Sequence, residues 1–168
     1  MSVFFISDLH FGHRNMAIKR GFPSEIEHDE FIISQWNKTV NKKDMVYILG
    51  DITMEKKTYG ILDKLNGLKN VVLGNHDARN HVPELLKHVN SVAGMVDYKN
   101  KCILTHCPIH PQELGYRFRY NIHGHVHEKP IYRKLFGLKL FRDRRYVNVS
   151  CEALNYTPIE FEKLIKQQ

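Results

Sequence analysis

Short runs of apolar residues, each ending at a polar or glycine position, punctuate the first half of the chain. Val3–Ser7, Met45–Leu49 and Asn70–Leu73 are too short for helices and nearly continuous in apolar character, so they predict buried strands. Between them the period lengthens. Ile26, Ile33, Trp36 and Val40 recur at helical spacing, and Ser24 with Glu27 makes an S-x-x-E capping box, so residues 24–40 predict a helix. Residues 56–65 predict a second helix closed by Gly67, and residues 82–89 a weaker third. From residue 92 the pattern becomes strand-like with short breaks, over 92–98, 101–105, 120–123, 131–135, 138–141 and 146–149. Gly137, between two apolar runs, predicts a hairpin. The chain ends in a predicted helix with Thr157 as cap, Pro158 in first position and Glu160 completing a second capping box. Alternating β/α segments followed by mostly β segments predict an α/β layered fold. The expected architecture is a four-layer αββα sandwich, two mixed β-sheets flanked by helices. With no linker, repeat or low-complexity tract, residues 1–168 are expected to form one domain.

Composition supports a globular chain: 42% hydrophobic and 26% charged among 168 residues. The three cysteines, Cys102, Cys107 and Cys151, cannot all pair within the chain and match no cysteine-based zinc spacing, so reduced thiols are expected. The first ten residues lack a basic region and a long apolar run, and no window is as long and apolar as a membrane span. These features predict a cytoplasmic protein. The net charge of +7 is uneven. Residues 129–145 hold seven Lys/Arg and one Asp, a net of +6, which leaves +1 for the rest of the chain.

Five polar clusters each follow a predicted strand: Asp8-Leu9-His10, Gly50-Asp51, Gly74-Asn75-His76-Asp77, Thr105-His106 and Gly124-His125-Val126-His127. Strand ends are where α/β folds gather functional loops on one sheet edge. Asp8, Asp51 and Asn75 offer oxygen; His10, His106, His125 and His127 offer imidazole nitrogen. A mixed O/N set suits Mn, Fe, Zn or Ni better than Ca or Mg. Seven ligands are too many for one ion and suit two if one carboxylate bridges, and a pair of ions can clamp a phosphate and activate water between them.

These clusters, DLH, GD, GNHD, TH and GHVH, resemble the signature of the calcineurin-like metallophosphoesterases. The run Asn148–Ile159, NVSCEALNYTPI, is similar to a C-terminal stretch of the small bacterial and phage members, so the resemblance spans nearly the whole chain. It implies two divalent ions, manganese first among the candidates. One would be held by Asp8, His10, Asp51 and His127, the other by Asp51, Asn75, His106 and His125, with Asp51 as bridge. It further implies attack on phosphorus by a metal-activated hydroxide. His76 would be the catalytic histidine that contacts phosphate or protonates the leaving group, and Asp77 the partner that orients it. The complete first site implies a preference for phosphodiesters, either a nucleotide or a small diester.

Other residues carry competing readings. His13, Arg14 and Asn15, on a predicted loop after the first strand, are candidates for substrate contact or for plain solvated positions. His123 is expected to be structural. His28, His81, His88 and His110 are expected on surface helices or loops, and Cys107 as a packed free thiol beside His106. Arg117 and Arg119 alternate with aromatics, as in nucleic-acid contacts or an ordinary half-exposed strand. Three functions stay open: a small-diester or nucleotide enzyme, an enzyme on nucleic-acid ends or a phosphomonoesterase, and a non-catalytic scaffold. The basic segment points to the second, and the presence of His76 speaks against the third. The motifs leave the oligomeric state and the physiological substrate open.

Overall fold

The computed structural model describes residues 1–54, 56–99 and 101–166. A five-stranded sheet is built from β1 (Val3–Ile6), β2 (Met45–Ile48), β3 (Leu68–Val72), β4 (Ser91–Ala93) and β11 (Ile159–Glu160). β1 to β4 run parallel, and β11 closes the edge antiparallel to β1. A four-stranded sheet holds β5 (Val96–Tyr98), β6 (Cys102–Leu104), β7 (Tyr120–His123) and β10 (Tyr146–Asn148). β8 (Tyr132–Leu135) and β9 (Leu138–Arg142) make a separate antiparallel ribbon. The helices are α1 (Arg14–Lys19), α2 (Glu25–Thr39), α3 (Val82–Leu85) and α4 (Phe161–Lys166), joined by a 3₁₀ helix over Lys56–Lys64. The architecture is therefore the expected α/β sandwich of two mixed sheets with helices.

Strand alternation sorts the core into two layers. Phe4, Ile6, Val46, Ile48 and Val71 pack with Ile32, Trp36 and Val40 of the α2 segment and with Tyr59 and Leu62 of the 3₁₀ helix. Phe5, Leu49 and Val72 point the other way, onto Leu104, Ile122 and Val147 of the second sheet and onto Phe161 and Leu164 of α4. Each such large buried side chain contributes about 1.5–3 kcal/mol. Ser24 caps α2 as the sequence predicts, its hydroxyl accepting from Glu27 N at 3.2 Å.

Five expectations change. The predicted strand 92–98 is two strands in different sheets, broken at Gly94. The second helix winds as 3₁₀, and the third shrinks to Val82–Leu85. The stretch after His13 is not loop but α1, whose one buried residue, Ala17, gives no apolar period to detect. At the C-terminus no capping box forms. Ile159 and Glu160 pair with Phe5 and Phe4, and the helix starts only at Phe161. Without β11, the outer edge of β1 would leave backbone donors and acceptors unpaired.

Parallel order brings the C-terminal ends of β1, β2 and β3 to one edge, and β6 and β7 share a direction in the second sheet. The sheets join at this edge: Ser7 N donates to Val149 O at 2.8 Å and Cys151 N to Ser7 O at 3.0 Å. The five clusters Asp8–His10, Gly50–Asp51, Gly74–Asp77, Thr105–His106 and Gly124–His127 each lie on a loop leaving these strands.

Candidate metal centre

Asp8, His10 and His127 offer ligand atoms within 4.8 Å of one another, as do Asp8, Asp51 and His106. The His10 ring is buried, and neither of its nitrogens has a hydrogen-bond partner among the described residues. Its Nε2 lies 4.0 Å from Asp8 Oδ1 and 3.9 Å from Asp51 Oδ2. That is too long for a hydrogen bond and within the span of two metal–ligand bonds of about 2.0–2.2 Å each. Burial and the Arg20 charge push the His10 pKa down to about 3, so the ring is neutral, as a metal ligand must be.

The second group gathers around Asn75. Its Oδ1 lies 2.9 Å from His106 Nε2 and 2.9 Å from His125 Nδ1, and Asp51 Oδ2 lies 3.3 Å from His106 Nε2. His106 Nδ1 donates to Leu49 O at 2.8 Å, which turns Nε2 toward the carboxylates. A lone pair there would face acceptor oxygens, an arrangement that only a proton or a cation relieves. Burial pulls the His106 pKa down, but the Asp51 hydrogen bond and charge outweigh it and raise the pKa above its ordinary value. For Asp51, burial pushes upward and His106 outweighs it, holding the carboxyl below its usual range. Both groups thus have donor chemistry and spacing that fit a divalent cation.

The backbone is bent to serve this site. Asp8, His10, Asp51, His125 and His127 all have positive φ, between 51° and 70°, a region that non-glycine residues seldom adopt. Such local strain persists only where the surrounding structure imposes it, and it concentrates at functional sites. Close approach explains two glycines. A Cβ on Gly74 would collide with the Asp51 carboxylate, and one on Gly124 with Ser7 Oγ and Asp8 Oδ2.

His76 is exposed, its ring 5.8 Å from that of His10, and its backbone N–H donates to Asp51 Oδ1 at 3.0 Å. Asp77 has other partners than expected. Its carboxylate accepts from Asp51 N at 2.8 Å, Ile52 N at 3.0 Å and Gly74 N at 2.8 Å, so it ties two ligand loops together rather than bonding the His76 ring. Burial pushes its pKa up against those three N–H donors.

His13 occupies the N-cap position of α1 without a side-chain capping bond, its ring 5.9 Å from that of His10, whereas Arg14 and Asn15 are exposed on the helix. His123 is buried, with Nδ1 donating to Gly124 O at 2.8 Å, and burial lowers its pKa to about 4. Two further corrections concern burial. Cys107 is exposed rather than packed, and its thiol groups with His106 and His125. His28 is fully buried, because α2 turns it onto Arg20, with Nε2 2.8 Å from the guanidinium.

Arg20 and Glu152 escaped the sequence reading. Arg20 donates to Asp8 O at 2.7 Å and Leu9 O at 3.1 Å, and its guanidinium lies 2.8 Å from Glu152 Oε1. Glu152 in turn accepts from His127 Nδ1 at 2.8 Å, which leaves His127 Nε2 free to face the first group. Burial would raise the Glu152 pKa, but the His127 hydrogen bond and the Arg20 charge hold it down at about 2. Glu152 lies inside the run Asn148–Ile159 that carried a resemblance without a role; Arg20 lies in no motif.

The description "Calcineurin-like phosphoesterase superfamily domain" matches residues 1–149 of the chain. The chain belongs to this superfamily. An uncharacterised protein of Methanocaldococcus jannaschii is 30% identical over 171 residues, covering 98% of this chain and 89% of that protein. The Gene 66 protein of Mycobacterium phage L5 is 27% identical over 186 residues, covering 90% of this chain and 87% of that protein. The crystal structure of a protein of unknown function from Aquifex aeolicus superposes with a TM-score of 0.72 at 23% identity, over 99% of both chains, and so shares the fold. Membership makes this calcineurin-like protein a metal-dependent hydrolase of phosphate esters in general. Among the described residues no helix is long and apolar enough to cross a membrane.

Proposed function

We propose that this calcineurin-like protein hydrolyses phosphodiesters with two divalent cations, manganese as the favoured metal. Asp8, His10, Asp51 and His127 would hold one ion. Asp51, Asn75, His106 and His125 would hold the other, with Asp51 shared. The observation that carries this reading is the buried His10 ring, with no hydrogen-bond partner among the described residues, about 4 Å from two carboxylates. When bound, the ions supply activation of water and charge stabilisation for the phosphoryl group.

The chain's own residues do the rest. The neutral ring of His10 offers its lone pair without competition from a proton. Glu152 and Leu49 O fix the ring orientation of His127 and His106. His76, exposed beside the cluster, serves as proton donor to the leaving oxygen. Asp77 keeps its loop in register with that of Asp51. His13 would touch a substrate oxygen, with Arg14 and Asn15 beside it on the exposed first turn of α1.

The test is a pair of matched aryl mono- and diesters assayed with Mn²⁺, together with metal analysis of the protein. A higher kcat/KM on the diester, lost on chelation and restored by metal, supports the reading. A clear monoester preference removes the diester assignment. One ion per chain in metal-replete buffer removes Asp51 as bridge.

A further inference from the structure

Away from the strand-end cluster lies a groove of about 800 Å³, a size that encloses a small organic ligand. Six cations line it, Lys101, Arg119, Arg133, Arg142, Arg144 and Arg145, with a single carboxylate, Asp143. Asp143 is buried and already engaged by Arg145 at 2.7 Å and Arg133 at 3.4 Å. Arg119, Arg142 and Arg144 have no carboxylate partner among the described residues. They are free to meet anions from outside.

The same groove has open aromatic surface. Tyr116 is 93% exposed and Phe141 55% exposed, and the Arg133 guanidinium lies 5.4 Å from the Phe141 ring centre. Arg119 stacks likewise on Tyr120 at 5.2 Å. Charge alone would suit any polyanion. Charge interleaved with exposed rings suits phosphates that carry flat bases.

The groove also has a direction. Arg142 lines it and lines a second cavity of about 260 Å³ that includes Glu128, Lys129, Asn148 and Ala153. Glu128 follows His127, Ala153 follows Glu152, and Asn148 Nδ2 bonds the His127 carbonyl. The second cavity therefore lies against the backbone of the loop that carries His127. His123 also lines it. Its Nδ1 donates to Gly124 O, so Nε2 is a buried acceptor with no donor among the described residues. A ribose hydroxyl or a base N–H is the kind of donor it lacks.

We propose that the β8–β9 ribbon and the 115–120 segment form a docking groove for single-stranded nucleic acid, leading past Arg142 to the metal centre. The delivery step rests on the phosphoesterase reading above; the binding step does not. Phosphates would lie against Arg119, Arg142 and Arg144, and bases would stack on Tyr116 and Phe141. The turn at Phe136-Gly137, both with positive φ, joins the two strands of the ribbon, whose Arg133, Phe141 and Arg142 form one wall.

The test reads binding separately from hydrolysis. Metal-loaded protein is titrated into a fluorescent phosphorothioate oligonucleotide of about 12 nucleotides, a length within single-strand site sizes, and anisotropy is followed at increasing salt. Replacing Arg142 and Arg144 together with Gln should weaken binding at low salt by about 10-fold or more and flatten the slope of log K against log[salt] by about 1.4, the share of two phosphate contacts on a single strand. Tyr116→Ala should weaken binding by about 5-fold or more and leave the salt slope in place, since stacking releases no counterions. Circular dichroism checks that each variant is folded. Equal affinity for duplex or for inorganic polyphosphate, or no effect of Tyr116→Ala, overturns the proposal. So does a change of oligomeric state in the variants with oligonucleotide binding intact, which would make the groove an interface between copies. Wild-type protein that binds the oligonucleotide but hydrolyses no aryl ester would sink the metal-centre reading and leave the groove standing.

Discussion

Glu152 Oε1 lies 2.8 Å from His127 Nδ1 and 2.8 Å from the Arg20 guanidinium, so one carboxylate joins a ligand candidate to the arginine that clamps the Asp8 and Leu9 carbonyls. A carboxylate behind a ligating histidine orients the ring and raises its basicity, and losing one typically costs about 10–100-fold in metal affinity. Glu152→Ala is therefore expected to lower affinity for the first ion by that range, read by metal titration. It also strands the Arg20 charge, which is almost fully buried, so thermal stability should fall too. Glu152→Gln, which can still accept from His127, should recover part of the metal affinity. Equal metal affinity in all three proteins would mean that Glu152 does not position His127.

His76 sits at the cluster without donating its ring to any neighbour among the described residues. His76→Ala should lower turnover by about 10²–10⁴-fold, the range for a lost general acid, with metal content near that of wild type. The loss should shrink for esters with good leaving groups, which need little protonation. If metal content drops instead, His76 is a ligand and not a proton donor.

Gly124 offers a test of close packing. A methyl there would meet Ser7 Oγ and the Asp8 carboxylate, so Gly124→Ala should displace Asp8. Overpacking of this kind costs about 1–3 kcal/mol in stability, and metal binding should weaken with it. Gly94→Ala is the control: nothing lies within 4 Å of its added Cβ, and its melting temperature should stay near that of wild type. Similar metal binding in both variants would remove the packing argument.

Asp44 gives a pH dependence outside the metal centre. Its carboxylate accepts from Ser2 N at 2.8 Å and Asn41 N at 3.0 Å, and these backbone bonds hold its pKa below the usual carboxylate range. The folded state thus favours the ionised form. The resulting stability is present above the unfolded value of about 3.9 and is lost as pH falls through the lower folded pKa. Asp44→Asn should be less stable than wild type at neutral pH, by on the order of 1–2 kcal/mol for weakened charge-assisted bonds. The gap should narrow as pH falls below about 4. A constant gap across this window in chemical denaturation would contradict the assignment.

What the sequence by itself determined is what depends on neighbours close in the chain. Apolar runs marked β1, β2 and β3 because a strand buried on both faces must be continuously apolar. Ser24 marked the start of α2 because its hydroxyl satisfies an N–H three residues on. The Gly137 hairpin was legible for the same local reason. The five polar clusters were legible because each follows its strand directly, and parallel order in the sheet then brings them to one edge. Tertiary structure alone decided the rest. Thr157, Pro158 and Glu160 satisfy helix-start rules, but the open edge of β1 takes Ile159 and Glu160 as a strand, since backbone groups there need partners. Residues 92–98 look like one strand until Gly94 lets the chain pass from one sheet to the other. His28 looks like a surface residue until Arg20 packs over it, and Arg20 meets Glu152 across 132 positions of sequence. Periodicity reports whether a residue prefers burial; it holds no information on which distant side chain will be buried beside it.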